Sequence, residues 1–382
     1  MRLRVGRARA EPPETASLSR VGPIASIVFL GVFPVLAVVA LFASAVEADS
    51  IATDFRQYYR AAETILAGDS PYLPSGPPLT EWGGPYPYPP LPALLATPLT
   101  LVSLESAGAL VMAVLVAVAL AIPFVLGVRD WRCYGLLLLW PPVISAIQTA
   151  NVTLWLVLAC AIAWRLRDRA LPVALAIGLA LATKFLLWPL VAWLAATKRW
   201  LAALMACVLG AGLLVLSWSV LGFAGFLDYP DLLRRLEDVV GDDSYTAYIV
   251  ALDMGLPSDA ARSLWLALGL ALVTWTVLLG RRGDERSAFI VAVAASLALS
   301  PIVWLHYFAV LLLVAGLAQP RLGVVWFVPL GMVITPGSGH PTPFETAWTL
   351  AVAVLMIVLA LRASAASRSA EIAFLAPHEA RA

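Results

Sequence analysis

The stretch "ATDFRQYYRAAETILAGDSPY", residues 52 to 72, places an aspartate just beyond the first long apolar run of the chain. Asp54 is followed by Arg56, Tyr58 and Tyr59. A carboxylate held at a lipid–water boundary among such residues could take a proton from a hydroxyl. General bases of this kind contribute about 10²–10⁴-fold to a rate. Asp54 also has a plain structural use, because Asp54 and Gln57 have the Asp-x-x-Gln form of a capping box. An N-cap is worth about 1 kcal/mol. The two uses are compatible, since a cap would hold the carboxylate rigid and ionised.

Two further residues have chemistry out of keeping with their surroundings. Lys184 interrupts the apolar stretch "ALATKFLLWPLVAWLAATKRW", and Lys198 is the only other lysine. A lysine at the centre of a membrane helix costs about 2.5–3.5 kcal/mol, so an intramembrane cation is a functional candidate by default. A phosphate is its natural partner, and snorkelling to lipid headgroups is the plain alternative. His306, in "LSPIVWLHYFAV", is the histidine that lies within an apolar run, just after a Ser300-Pro301 break. It could donate a hydrogen bond to a leaving phosphate or a sugar hydroxyl, or simply be a satisfied core residue. The loop "GGPYPYPPLP", 83–92, is stiff and aromatic. Its Tyr86 and Tyr88 could stack on sugar faces or anchor at the membrane interface.

The elements that must position these residues are helices in a membrane. Of 382 residues 61% are hydrophobic and 13% charged, where a soluble domain carries about 25% charge. Apolar runs recur from 21 to 363, which gives one all-α polytopic domain between tails at 1–20 and 364–382 that look disordered. The run from Val21 to Val46 is longer than the roughly 7–15 residues of a signal-peptide core, so it is expected as an uncleaved first span. Arginine clusters recur at Arg129/Arg132, Arg165/Arg167/Arg169, Lys198/Arg199, Arg281/Arg282/Arg286 and Arg321. Placing all of them inside, as cytoplasmic loops require, gives about twelve crossings with both termini cytoplasmic. Most of the 25 basic residues then fall inside and most of the 24 acidic ones outside.

That topology leaves external loops at about 47–104 and 222–260, the second acidic. The apolar segment 90–104 is too short to span and is expected to be re-entrant or interfacial. Segments 133–147, 151–165, 171–183 and 185–197 are also short and read as two hairpins, with "QTAN" (148–151) and Lys184 at their tips. Short interrupted helices buried in protein often mark a substrate site. Residues Phe55, Tyr58, Tyr59, Ala62, Ile65 and Leu66 make one face of an amphipathic helix ending at Gly68, expected to lie on the external membrane surface. Cys133, Cys160 and Cys207 look like small core residues. No metal-ligand cluster or nucleotide-binding motif is present and no nucleic acid is expected as a partner. No cofactor is required, although the acidic loop could hold a divalent metal.

Together these pieces resemble glycosyltransferase family 87, the polyprenol-phosphate-mannose-dependent mannosyltransferases. "DFRQYYRAAETILAGDSPY" is similar to the family's Asp-x-x-x-Tyr-Tyr-x-Ala…Leu-x-x-Gly…Pro-Tyr signature, and "YPYPPLPALLATPL" to its Tyr-Pro-Pro loop. "ALATKFLLWPLVAWLAATKRW" resembles its Ala-x-x-Lys…Pro…Arg-Trp stretch and "SPIVWLHY" its Ser-Pro-x-x-Trp-x-His-Tyr. At the other hairpin tip the family often has Gly-Gln or Gly-Asn, where this chain has Ala150-Asn151 with Gln148 nearby. The resemblance implies a GT-C type enzyme of the plasma membrane, with its active site on the external or periplasmic face. It would move a mannosyl residue from polyprenyl-phosphate-mannose to a glycolipid or lipoglycan acceptor with inversion. Asp54 would be the general base, Lys184 and His306 would contact the donor phosphate or sugar, and Tyr58, Tyr59, Arg56, Tyr88, Gln148 and Asn151 would line the substrate site. The topology alone would also suit a transporter or flippase of a lipid-linked sugar.

Overall fold

A computed structural model of the chain describes residues 22–47, 52–76, 79, 86–335 and 340–379. The expected N-terminal tail, part of the 83–92 loop and the tip at 336–339 lie outside the described residues. Every regular element among those described is helical.

Long apolar helices form the outside. The first is a rod of Pro23–Ile27, a π-helical turn Val28–Val32 and α1, Phe33–Glu47. After it come α2, Thr53–Leu66, α3, Pro90–Ala96, and α4, Leu104–Leu126. The bent pair α5, Pro141–Gln148, and α6, Thr153–Arg165, is followed by α7, Ala170–Thr183, and α8, Pro189–Ala196. Then come α9, Trp200–Val220, α10, Tyr229–Val240, α11, Ser258–Arg281, α12, Glu285–Ala298, α13, Leu311–Ala318, and α14, Pro343–Glu379. Among the described residues, 5 helices are long and apolar enough to cross a membrane, or 6 if α5 and α6 count as one span. The other segments expected as crossings are shorter helices. The outer helices expose rows of apolar side chains such as Leu201, Leu204, Val208 and Val215 of α9. Such rows suit lipid and not water. Cys207 lies on this exposed face and not in the core, while Cys133 and Cys160 are buried.

Two helices too short to span are central. Residues Ser287–Leu297 of α12 and Leu311–Leu317 of α13 are buried on every side. A helix apolar all round belongs inside a bundle, and there it needs no full membrane length. The helices α7 and α9 approach closely where both carry glycine. A Cβ on Gly178 would lie 3.0 Å from the Ala206 carbonyl oxygen, and one on Gly210 would lie 3.2 Å from the Gly178 oxygen. Small residues let membrane helices approach backbone to backbone.

Ion pairs join the loops that the arginine pattern placed on one side. Arg199 bridges Asp168 at 2.8 Å and Glu285 at 2.9 Å, and Arg167 reaches Glu285 at 3.1 Å. Asp130 holds Arg132 at 2.8 Å and accepts from the Leu322 amide at 3.0 Å. Three basic loops therefore meet in one cluster, and the loops at 130–132 and 321–322 meet in a second. The acid-rich loops make separate contacts, in which the Asp228 carboxylate accepts from the Ser75 hydroxyl at 2.7 Å and the Tyr245 amide donates to the Val303 carbonyl at 2.8 Å.

Three expectations need correction. The aromatic face of α2 is packed in protein and not laid on lipid, with Phe55, Tyr58 and Tyr59 only 3–6% exposed. That face meets α3, the 3-10 turn Thr97–Leu101 and α4, while Leu66 points outward. The helix does end as expected, with Gly68 at φ 87°. Asp54 is not its N-cap. Ala52 holds that position at φ 53°, and no side chain caps the helix. The tail beyond 363 is not irregular, since α14 continues to Glu379.

The bend of 119° between α5 and α6 is made by a Schellman-type ending. The Asn151 amide donates to the Ala146 carbonyl at 3.1 Å and the Ala150 amide to the Ile147 carbonyl at 3.0 Å. This motif places its C′ residue in the left-handed region, usually as glycine, and Ala150 is there at φ 52°. The departure from the family's glycine is therefore one methyl in a left-handed position, which costs about 1–2 kcal/mol. Ala150→Gly should keep thermal stability in detergent close to wild type, because the strain relieved offsets the buried methyl lost. Ala150→Val, with a β-branched residue forced into that region, should melt several degrees lower.

Candidate active site

The helix α2 begins with amide groups that have no partner within the helix. They are satisfied by the tip of the bent pair. The Ala52 amide donates to the Gln148 carbonyl at 2.7 Å, and the Asp54 and Phe55 amides donate to the Thr149 carbonyl at 3.0 and 3.3 Å. With the backbone capped by backbone, the Asp54 carboxylate is released from capping and meets a side chain on the same tip. The Asn151 Nδ2 donates to Asp54 Oδ2 at 2.6 Å and to the Tyr88 hydroxyl at 3.2 Å.

Two more chain breaks complete the cluster. α7 stops at Lys184, whose extended backbone (φ −158°, ψ 123°) leads into a 3-10 turn, Phe185–Leu187. The Lys184 ammonium donates to the Tyr307 hydroxyl and lies 3.6 Å from the Tyr307 ring centroid and 5.2 Å from that of Tyr88. It makes no ion pair among the described residues. The buried 3-10 segment Leu305–Val310 carries His306 and Tyr307. His306 is 5% exposed, and its Nε2 lies 3.7 Å from Asp54 Oδ2, beyond hydrogen-bond reach. That nitrogen has no hydrogen-bond partner among the described residues.

Asp54, Tyr88, Lys184, His306 and Tyr307 all line one cavity of about 940 Å³. These polar groups form one part of its wall. The remainder is largely apolar, with Leu214, Val215 and Trp218 from α9 and Phe226 and Leu233 near α10. Loss of water around the Asp54 carboxyl pushes its pKa above the ordinary value, and the Asn151 amide and the Lys184 charge pull the other way. A base with a raised pKa is a stronger proton acceptor while ionised and is silenced sooner on acidification.

The other residues expected at the site are placed differently. Tyr58 stands behind Tyr88, edge-on with ring centroids 4.8 Å apart. The Tyr59 hydroxyl donates to the Val102 carbonyl at 2.8 Å, away from the cavity. Arg56 and the Gln148 side chain do not line it, and Gln148 contributes its carbonyl instead. Tyr86 is no sugar platform. It is 2% exposed, donates to the Pro89 carbonyl and accepts from the Ala93 amide, both at 3.0 Å. With Tyr229 donating to Pro87 and Tyr72 to Tyr88, three tyrosine hydroxyls clamp successive carbonyls of the Tyr-Pro loop. Sequence reasoning missed Tyr307 as a site residue although it adjoins His306, because an aromatic neighbour in an apolar run carries no signal of its own. Among the described residues no group of three or more His, Cys, Asp or Glu could hold a metal ion.

The model of glycosyltransferase family 87 matches residues 86–303, more than half of the chain, and the chain belongs to that family. Tyr88, Asn151 and Lys184 lie within the matched region, while Asp54 and His306 flank it. No curated protein and no solved structure matches the chain.

Lys184→Met tests the cation. The variant removes a desolvated charge that makes no ion pair but feels Asp54, so thermal stability should change little, the lost attraction offsetting the desolvation relieved. Binding of an isoprenyl phosphate, followed by its stabilising thermal shift, should weaken about tenfold or more, the loss expected from a charge-assisted contact.

Proposed function

We propose that this enzyme transfers mannose from a polyprenyl-phosphate donor to a glycolipid or lipoglycan acceptor, with Asp54 as general base. The observation that carries the reading is the convergence of Asp54, Lys184 and His306, from three distant chain segments, on one cavity whose remaining wall is largely apolar. A lipid-linked sugar has the same division, with a charged phosphate and sugar at one end and a hydrocarbon chain at the other. Twelve crossings of GT-C type, both termini inside and the active site on the external face of the plasma membrane remain part of this proposal. The ion pairs that join basic loops to one another, with the acid-rich loops bonded elsewhere, support it.

The chemistry follows from the placement. Asp54 accepts the proton of the acceptor hydroxyl as that oxygen bonds to the anomeric carbon. The bond from that carbon to the phosphate oxygen breaks, and the electron pair leaves with the phosphate. Negative charge grows on the phosphate, where the Lys184 ammonium and a Tyr307 or His306 hydrogen bond stabilise it. Direct displacement inverts the anomeric centre, so a β-linked donor gives an α-linked product.

The test is transfer of labelled mannose from polyprenyl-phosphate-mannose to a membrane lipid extract by purified protein in nanodiscs. Asp54→Asn should abolish transfer while the protein stays folded. Wild-type activity should fall as pH drops through a value above the ordinary carboxylate range near about 3.9, because the base must be ionised and its pKa is raised. Donor binding without transfer by wild type would instead favour a carrier of lipid-linked sugar. Equal transfer by wild type and Asp54→Asn would remove Asp54 from the chemistry.

A further inference from the structure

Asn151 can face Asp54 in only one useful way, and a neighbouring residue decides it. Rotating the amide by half a turn would exchange Nδ2 for Oδ1 and point lone pairs at the carboxylate. The Asn151 Oδ1 accepts from the Thr153 backbone amide at 2.8 Å and from the Thr153 hydroxyl at 2.6 Å. Both Asn151 and Thr153 are fully buried. A backbone N–H can only donate, so the atom facing it is the amide oxygen. The remaining end of the amide is then Nδ2, with two hydrogens for the two acceptors in reach, Asp54 Oδ2 and the Tyr88 hydroxyl.

We propose that Thr153 is a positioning residue for the catalytic carboxylate. It locks the Asn151 amide so that Nδ2 engages Asp54 Oδ2 and leaves Oδ1 of Asp54 to receive the substrate proton. This inference rests on Asp54 being the base, and it recasts Asn151 from a substrate contact to the link between Thr153 and Asp54. Thr153 begins α6, so the lock is set by the same bend that caps α2. One short turn thus fixes both the backbone and the side chain of Asp54.

The other groups facing Asp54 are Thr149, Lys184, His306, Tyr307, Tyr88 and Tyr58, and none of them is replaced by changing Thr153. A donated hydrogen bond favours the ionised carboxylate, and an opposed lone pair favours the protonated one. Without the Thr153 hydroxyl the amide orientation is held by one donor instead of two. Asp54 should then titrate at higher pH.

The experiment measures Asp54 protonation directly, by the pH dependence of its modification with dicyclohexylcarbodiimide, which reacts with the protonated carboxyl, read by peptide mass spectrometry. Thr153→Val should move the midpoint up by roughly half to one pH unit, and Thr153→Ser should restore it. The acid limb of the transfer activity should move by the same amount. If Thr153→Val folds poorly, Thr153→Ala removes the same hydroxyl and should show the same shift. A midpoint unchanged in both hydroxyl-free variants overturns the positioning role, even if Asp54→Asn is inactive. A shifted midpoint with full activity in Asp54→Asn would keep the lock and overturn the reading of Asp54 as base.

Discussion

The start of α2 needs acceptors for its first amide groups, and the whole site depends on where it finds them. They come from the carbonyls of Gln148 and Thr149, at the tip of a helix pair bent by 119°. In a low-dielectric setting an unsatisfied amide costs several kcal/mol, so the two elements cannot separate cheaply. The contact brings a residue near the first span against residues almost a hundred positions later. It also releases the Asp54 side chain for Asn151.

Once α2 is fixed, the cavity follows from chain breaks and not from long helices. Lys184 ends α7, His306 and Tyr307 sit on a 3-10 segment, and Asn151 sits just after a left-handed turn. Broken helices expose backbone and polar side chains at membrane depth, which is tolerated where protein or a cavity surrounds them. The close approach of α7 and α9 at Gly178 and Gly210 sets how far Lys184 stands from the apolar wall that α9 supplies.

The polar cluster is held in two ways. The Tyr-Pro loop is rigid because three tyrosine hydroxyls clamp its carbonyls, and that places the Tyr88 ring and hydroxyl beside Asn151 and Lys184. Lys184 itself leans on aromatic rings and a phenol instead of a carboxylate. Lys184 feels the Asp54 charge without pairing with it, so its ammonium keeps donors for an incoming anion such as the phosphate of the proposed donor.

The sequence by itself determined the helical membrane character and the family, and it singled out Asp54, Lys184 and His306, which the structure brings to one cavity. These are legible because apolar length, arginine placement and polar residues in apolar runs are local properties with strong energetic causes. It also marked the hairpin tips as breaks. Only the tertiary structure decided that the aromatic face of α2 is buried in protein, that Ala52 and not Asp54 starts that helix, and that Tyr59 and Arg56 stand off the cavity. Amphipathic spacing reports that a face is apolar but not whether lipid or protein covers it. The capping pattern likewise could not foresee that carbonyls from a distant turn would satisfy the amides first. Tyr307 and Thr153 were invisible for the same reason, since their roles exist only through partners that folding brings within about 3 Å.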